Sequence, residues 1–339
     1  MTSAIRALGY QAIAQLRLPH LLHRIFFRHQ LTIVMYHGVI RSPLKFYNSC
    51  FMDESSFHNQ VKYLKKHFEV ICLSEAIERM RTGGVCRPTA VITFDDGYQN
   101  NYDVAFPILN EAGLPATIFL TTGLINTSDT VWFCRLNHAL AETNRTSLEW
   151  GGCMFDLSGP GSKADTAAAI QDRLKEFPHP RLLVELRRLI LELNDDPDCP
   201  IEVGSPFRML SREAIAKMAG SGLIEFGAHT HTHAILSLLA PEERHDEIER
   251  SVAAIQEMTG RPCELFAYPN GGMQDYDAET IALLEACGMR ASVTAIAGPN
   301  NEMTPAMELR RYGVGAENSM AYFQLTVHHF IAQLRRMMR

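Results

Sequence analysis

Three short apolar runs rich in β-branched and aromatic residues constrain this chain most: Leu31 to Met35 (LTIVM), Ala90 to Phe94 (AVITF) and Ala116 to Leu120 (ATIFL). None alternates apolar with polar residues, so each reads as a strand covered on both faces. Helical periodicity fills the gaps. Phe57, Val61, Leu64 and Phe68 mark one helix over 54–68. Ser74 stands as the N-cap of a second, with Ile77 and Met80 inside it and Gly83-Gly84 at its end. Val104, Ile108 and Leu109 mark a third, closed by Gly113. Strands alternating with helices in this way make a parallel sheet.

The same alternation resumes beyond residue 207. Helices are expected over 211–219, 241–258 and 278–286, and strands over 223–228 and 263–267, with weaker strand patterns over 289–294 and 308–314. Between about 125 and 207 the pattern breaks: helical segments near Ala139 and over 181–193 flank a Gly/Ser/Pro stretch from Gly151 to Lys163. This reads as a largely helical insertion in a barrel-like α/β core spanning 31–339, preceded by an N-terminal segment, 1–30. No internal repeat is visible.

The formal net charge of the 339 residues is −6, which removes the general reason to expect nucleic acid as a partner. The charge is uneven, however. From Met1 to Met52 there is no Asp or Glu, while Arg6, Arg17, Arg24, Arg28, Arg41 and Lys45 all fall there. Ile5, Leu8, Ala12, Ile13 and Leu16 recur at helical spacing, followed by Leu21, Leu22, Ile25, Phe26 and Phe27. Residues 1–30 therefore read either as a basic amphipathic helix at a membrane surface or as a helix docked on the protein's own core. Arg17, His20, His23 and Arg24 interrupt the apolar run, against a secretory signal, and nothing approaches the roughly 18 apolar residues of a membrane span. The eight cysteines form no CxxC pair, so reduced thiols and a cytoplasmic location are expected, with peripheral contact at the inner membrane face left open.

Two constellations carry chemistry. The Ala90–Phe94 run ends in Asp95-Asp96-Gly97, and a buried strand gains nothing from two adjacent charges. One carboxylate can bind a metal while the other removes a proton from water; the competing reading is a simple turn. The second is His229-Thr-His-Thr-His233, after another strand, where His229 and His233 stand four apart and can reach one ion. Here the competing reading is an exposed polar loop. His231 is expected to point away from the ion. Two imidazoles and one carboxylate suit Zn²⁺ or a neighbouring first-row divalent metal.

VITFDDGYQNNY (91–102), IEFGAHTHTHAILS (224–237) and FAYPNGG (266–272) resemble the first three motifs of the polysaccharide deacetylases, carbohydrate esterase family four. The similarity covers about 31–124 and 207–315. It implies a distorted (β/α) barrel of the polysaccharide deacetylase type and a metal-dependent hydrolase releasing acetate from an N-acetylated amino-sugar polysaccharide or glycoconjugate. It also implies Asp95 as general base, Asp96, His229 and His233 as ligands, and the Tyr98 N–H as oxyanion donor, worth roughly 3 kcal/mol in the transition state.

Two departures stand out. Ala267 occupies the position where many members carry an arginine that orients the catalytic aspartate, although FAYP is similar to the poly-N-acetylglucosamine deacetylase branch. No late Leu-x-His supplies the acid. In that branch the histidine comes from an early MYH, matched by Met35-Tyr36-His37, so His37 is expected to protonate the leaving amine; a satisfied histidine at a strand end is the competing reading, and His328 and His329 are rivals. Two other functions are weighed: deformylation or deacetylation of a sugar on a lipid carrier, and an inactive, metal-retaining sugar-binding protein.

Overall fold

The computed structural model describes residue 10 and residues 18–316 and 319–332. The chain enters through α1 (Leu18–Leu22), which continues as a π-helical turn over His23–Phe27. The rest of the expected N-terminal helix, up to residue 17, lies outside the described residues apart from Tyr10. Next come β1 (Leu31–Tyr36), β2 (Gly38–Ile40), β3 (Phe51–Asp53), α2 (Glu54–His67), β4 (Glu69–Val70), α3 (Leu73–Arg81), β5 (Thr89–Phe94), α4 (Phe106–Ala112) and β6 (Ala116–Leu120). The segment that follows holds α5 (Trp132–Glu142), β7 (Ser147–Trp150), β8 (Cys153–Asp156), α6 (Pro160–Leu174) and α7 (His179–Glu192). The chain then completes its alternation with α8 (Arg212–Gly220), β9 (Ile224–Ala228), α9 (Pro241–Thr259), β10 (Leu265–Ala267), α10 (Ala278–Ala286), β11 (Ala291–Val293), β12 (Tyr312–Gly313) and α11 (Met320–Val327).

One eight-stranded sheet carries the core, in the order β11-β10-β9-β6-β5-β1-β12 with β4 beside β5, and its named pairings are parallel. The sheet curls back on itself. Leu309 bridges in parallel to Val293 of β11, while Tyr312, three residues on, pairs with Val34 of β1. This is the (β/α) barrel expected from the alternation, distorted because its last turn is closed by so short a segment.

The apolar runs have two jobs, one for each face. Val34, Tyr36, Ile92, Phe94, Ile118 and Leu120 pack outward with the helices, and the alternate residues Ile33, Val91, Phe119, Leu265 and Ala267 form a separate inner cluster. Burial on both faces explains the absence of polar alternation. By the same alternation Thr93 and Asp95 follow Val91 on the inner face.

Local details differ from expectation in two places. Ser74 is not a cap: α3 begins at Leu73, and the Ser74 hydroxyl donates instead to Glu225 of β9. The 125–207 insertion carries three helices, α5, α6 and α7, and one short hairpin where no strand was expected. Gly151 and Gly152, at φ 58° and 72°, turn β7 into antiparallel β8, and the stretch read as Gly/Ser/Pro-rich resolves into that hairpin and the first turn of α6. Consecutive positive-φ glycines are the residues a tight hairpin selects. The insertion has its own core, centred on Leu136, Leu140, Ile170, Leu186 and Leu189.

The two rivals for the acid are far from the mouth of the barrel. His328 and His329 follow α11, and His329 reaches the hydroxyl of Thr32 through Nε2 at 3.3 Å and that of Tyr312 through Nδ1 at 2.9 Å. Thr32 lies four residues before Tyr36, roughly 13 Å down the strand. There the histidines form a buried cluster: the Nδ1 atoms of His23 and His328 are 3.0 Å apart, Tyr63 Oη lies 2.8 Å from His328 Nε2, and the rings of His20 and His67 are 4.8 Å apart. Burial, with His20 adding to it, lowers His23 to about 4; burial, then His23 and His20, lowers His328 to about 2. Such groups take up protons more readily in the unfolded chain, so the stability difference is complete above pH ~6.5 and is lost as pH falls, down to about 4 for His23 and about 2 for His328. The thermal midpoint is therefore expected to drop across this window, and His23→Leu to flatten the drop. Equal slopes in the two proteins would show that the cluster does not titrate.

Candidate active site

Parallel strands bring their C-terminal ends to one end of the barrel, and the candidate residues follow those ends: His37 after β1, Asp95 and Asp96 after β5, and His229 and His233 after β9. Adjacent residues of a continuing strand would point to opposite sides. Asp96 escapes this by adopting φ 71°, followed by Gly97 at φ 85°, so that two neighbouring carboxylates serve one site. Gly97 is required: a Cβ there would lie 2.6 Å from Leu120 Cδ2. Thr230 and His233 also adopt positive φ, 61° and 64°. Such backbone costs of order 1–3 kcal/mol per residue and persists where surrounding contacts enforce it.

Here the enforcing residue is Glu247 of α9. Its carboxylate accepts from the N–H groups of His231 and Thr232, both at 2.8 Å, and from the Thr232 hydroxyl at 2.7 Å. The histidine turn is thereby fixed from beneath. His231 does point away, its Nδ1 3.0 Å from the Thr122 hydroxyl and its Nε2 2.8 Å from Arg250.

His229 Nδ1 donates to the Ala267 carbonyl at 2.7 Å, which leaves Nε2 unprotonated and facing Asp96 Oδ1 at 3.5 Å. His233 Nε2 lies 3.3 Å from the same oxygen. One ligand atom from each of Asp96, His229 and His233 falls within 4.8 Å of the others. Burial, only partly offset by Asp95, lowers His229 to about 4, so both lone-pair geometry and charge suit a ligand. Asp96 is 1% exposed, and neither of its oxygens has a hydrogen-bond donor. Burial pushes its pKa up, but His233 and its neighbours outweigh burial and hold it ionised. A buried carboxylate without donors costs several kcal/mol unless a cation joins it. The donor set fits a divalent transition metal, with two imidazoles and one carboxylate leaving positions open.

Asp95 is served differently. Arg311, with no exposed surface, donates to both carboxylate oxygens at 2.6 and 2.7 Å, to the Thr93 hydroxyl at 3.3 Å and to the Thr294 carbonyl at 2.8 Å. Burial alone would raise Asp95; the guanidinium, with His229, more than reverses this and keeps it ionised. The arginine missing at Ala267 is thus supplied by the segment that closes the barrel, and Ala267 contributes its backbone carbonyl instead. Sequence reading missed Arg311, Glu247 and Phe133, whose ring meets that of His233 edge-on at 5.5 Å. The Arg310-Arg311 pair beside a weak strand was the only local trace of the first.

His37 sits at the barrel mouth with its carbonyl fixed by Asn101 Nδ2 at 2.6 Å, and its imidazole is close enough to both aspartates to favour their ionised forms. Tyr98 turns its side chain away, against Phe51 at 4.9 Å and Cys134 Sγ at 3.1 Å. Its backbone N–H has no acceptor among the described residues, while Gln99 and Leu210 make the bonds on either side.

The sequence profile described as polysaccharide deacetylase matches residues 82–292, more than half of the chain and inclusive of both motif loops. The chain belongs to the polysaccharide deacetylase family. A poly-β-1,6-N-acetyl-D-glucosamine N-deacetylase of Staphylococcus epidermidis is 35% identical over 77 residues, 22% of this chain and 27% of that one. The aligned region spans between a quarter and a third of the length of such curated relatives, from 25% to 32%. Among solved structures, the deacetylase PplD of Streptococcus pyogenes, determined with acetate, superposes with a TM-score of 0.59 at 16% identity, covering 88% of this chain and 98% of its own. IcaB of Ammonifex degensii gives 0.55 at 19% identity, covering 88% and 97%. At these identities the likeness establishes the barrel fold shared with this family member.

Proposed function

We propose that the protein is a metal-dependent hydrolase that removes N-acetyl groups from an amino-sugar polysaccharide or glycoconjugate and releases acetate. The observation that carries this reading is the adjacency of two differently equipped carboxylates: Asp96 has histidines and no donors, whereas Asp95 has a bidentate arginine. Metal retention alone would need only Asp96.

Asp96, His229 and His233 would hold the ion, and a divalent ion there would act as a Lewis acid towards water and the amide carbonyl. Asp95, kept ionised and aimed by Arg311, accepts the proton of the attacking water. The Tyr98 N–H donates to the oxygen on which negative charge develops. His37 gives a proton to the departing amine, leaving acetate and a free amino sugar. The name of the Staphylococcus epidermidis relative supports N-acetylglucosamine oligomers as the first substrate to try. Arg311 also removes one of the two departures, the missing arginine and the missing late histidine, on which an inactive, sugar-binding reading rests.

The test is acetate release from β-1,6-linked N-acetylglucosamine oligomers alongside elemental analysis. We expect about one transition-metal ion per chain, loss of turnover on chelation and recovery on adding Zn²⁺ or Co²⁺. A chain that binds the oligomer and the metal yet releases no acetate is a binding protein.

A further inference from the structure

We propose that this chain docks peripherally on an anionic bilayer through one face of the segment Leu18–Phe27, at the end of the barrel opposite the catalytic mouth. The segment has two unlike faces. His23 has no exposed surface and anchors it in the histidine cluster, whereas Leu21, Ile25 and Phe26 are 55%, 57% and 68% exposed. Leu21 and Ile25 stand one turn apart at i and i+4, and Phe26 adjoins Ile25 in the π-helical turn, whose wider winding brings i and i+5 into line. Met303, 82% exposed, extends the patch, because it lines the same hollow as Phe26 and His29.

Charge selects the occupant. Arg24 and Arg28 are exposed, at the same i, i+4 spacing, and neither has a carboxylate partner among the described residues; Arg28 Nε donates to His29 Nε2 at 3.0 Å. Glu302 and Arg79 are the charged groups from other elements that line this hollow. Arg41 and Lys45, the other described cations of the acid-free N-terminal stretch, are already paired with Glu54 and Glu142. A second copy pairing through the same face would set Arg24 and Arg28 against their own counterparts. A surface of anionic headgroups over acyl chains matches both the exposed apolar side chains and the unpaired arginines, each of which should strengthen partitioning by roughly fivefold.

The placement has a consequence for the substrate, which rests on the hydrolase reading above. Residues 28–30 join the segment to the first residue of β1, while His37 lies beyond its last, so a six-residue strand of roughly 20 Å separates the docking face from the catalytic end. A docked molecule turns its mouth away from the lipid. It can work on sugars well along a glycan but not on one attached directly to a lipid carrier.

Flotation of the full, metal-loaded chain with vesicles of 70% phosphatidylcholine and 30% phosphatidylglycerol, against pure phosphatidylcholine, tests the docking. We expect binding to the anionic vesicles only, weakened in high salt. The substitutions Leu21→Ser, Ile25→Ser and Phe26→Ser together should reduce partitioning at least tenfold, and Arg24→Glu with Arg28→Glu should do the same without touching the apolar groups. Both should leave acetate release from soluble oligomers unchanged. No binding by the wild type, equal binding by both variants, or a dimer in sedimentation that these variants dissolve would each overturn the proposal. The vesicle readout stands whether or not the chain releases acetate, so failure of the hydrolase reading is seen separately.

Discussion

Asp96→Asn is expected to lose both metal and turnover, whereas Asp95→Asn should keep the metal and lose turnover by about 10²-fold or more. The difference follows from what each carboxylate touches. Asp96 Oδ1 lies 3.3 and 3.5 Å from two imidazole nitrogens and receives no hydrogen bond, so under the proposed function an amide there would remove the only anionic member of the three-residue cluster and the charge that would hold a cation. Asp95 is engaged by Arg311 and has no part in the three-ligand cluster, so its amide removes a proton acceptor and nothing else from the metal. His37→Ala belongs with Asp95→Asn: metal retained, kcat down by roughly 10² to 10⁴, and an amide substrate hurt more than an ester, whose leaving group needs less protonation. Elemental analysis beside kcat separates the roles. Equal metal loss in Asp95→Asn and Asp96→Asn would mean that the two carboxylates share the ion.

Arg311→Met should be the most destabilising single change in the barrel, by about 3–5 kcal/mol, because it leaves Asp95 ionised and buried with no guanidinium beside it. Both partners are almost wholly buried, at 1% and 4% side-chain exposure, so solvent cannot take over the lost bonds. Without the arginine, burial becomes the dominant influence on Asp95, its pKa rises, and the base becomes partly protonated at working pH. kcat should therefore fall as well, most steeply on the acid side of the pH profile. Denaturant unfolding of Arg311→Met, Asp95→Asn and the double variant gives the check. The double variant is expected to be more stable than Arg311→Met alone, since no unpaired charge remains. If the double variant loses the sum of the two single losses, the pair is not coupled and Arg311 acts only by filling the lumen.

What could be read from the residues alone was whatever acts within a few positions along the chain. LTIVM, AVITF and ATIFL became β1, β5 and β6 because β-branched residues with no polar alternation have to be covered on both sides. Gly113 closed α4 in the left-handed conformation, as its place after a helical period required. The histidine and aspartate motifs were visible for the same reason, since each sits at the end of such a strand. The hairpin turn at Gly151-Gly152 was missed because Ser158, Gly159, Pro160, Gly161 and Ser162 close behind it made the whole stretch read as irregular.

What the residues could not reveal was anything delivered across the fold. Arg311 reaches Asp95 from 216 positions away, and only because Leu309 closes the ring on β11 while Tyr312 pairs with β1. No periodicity marks a guanidinium that fills a barrel lumen. The merging of Asp95 and Asp96 into one site depended on a single backbone angle, and the histidine turn on a carboxylate from α9. Likewise His328 and His329 could compete with His37 on residue type but not on position, because α11 delivers them to the opposite end of β1. Strands, turns and the His/Asp motifs at their ends were thus determined by the sequence itself, through short-range sterics and burial; which charge faces which was decided by ring closure, which brings together groups that no local signal connects.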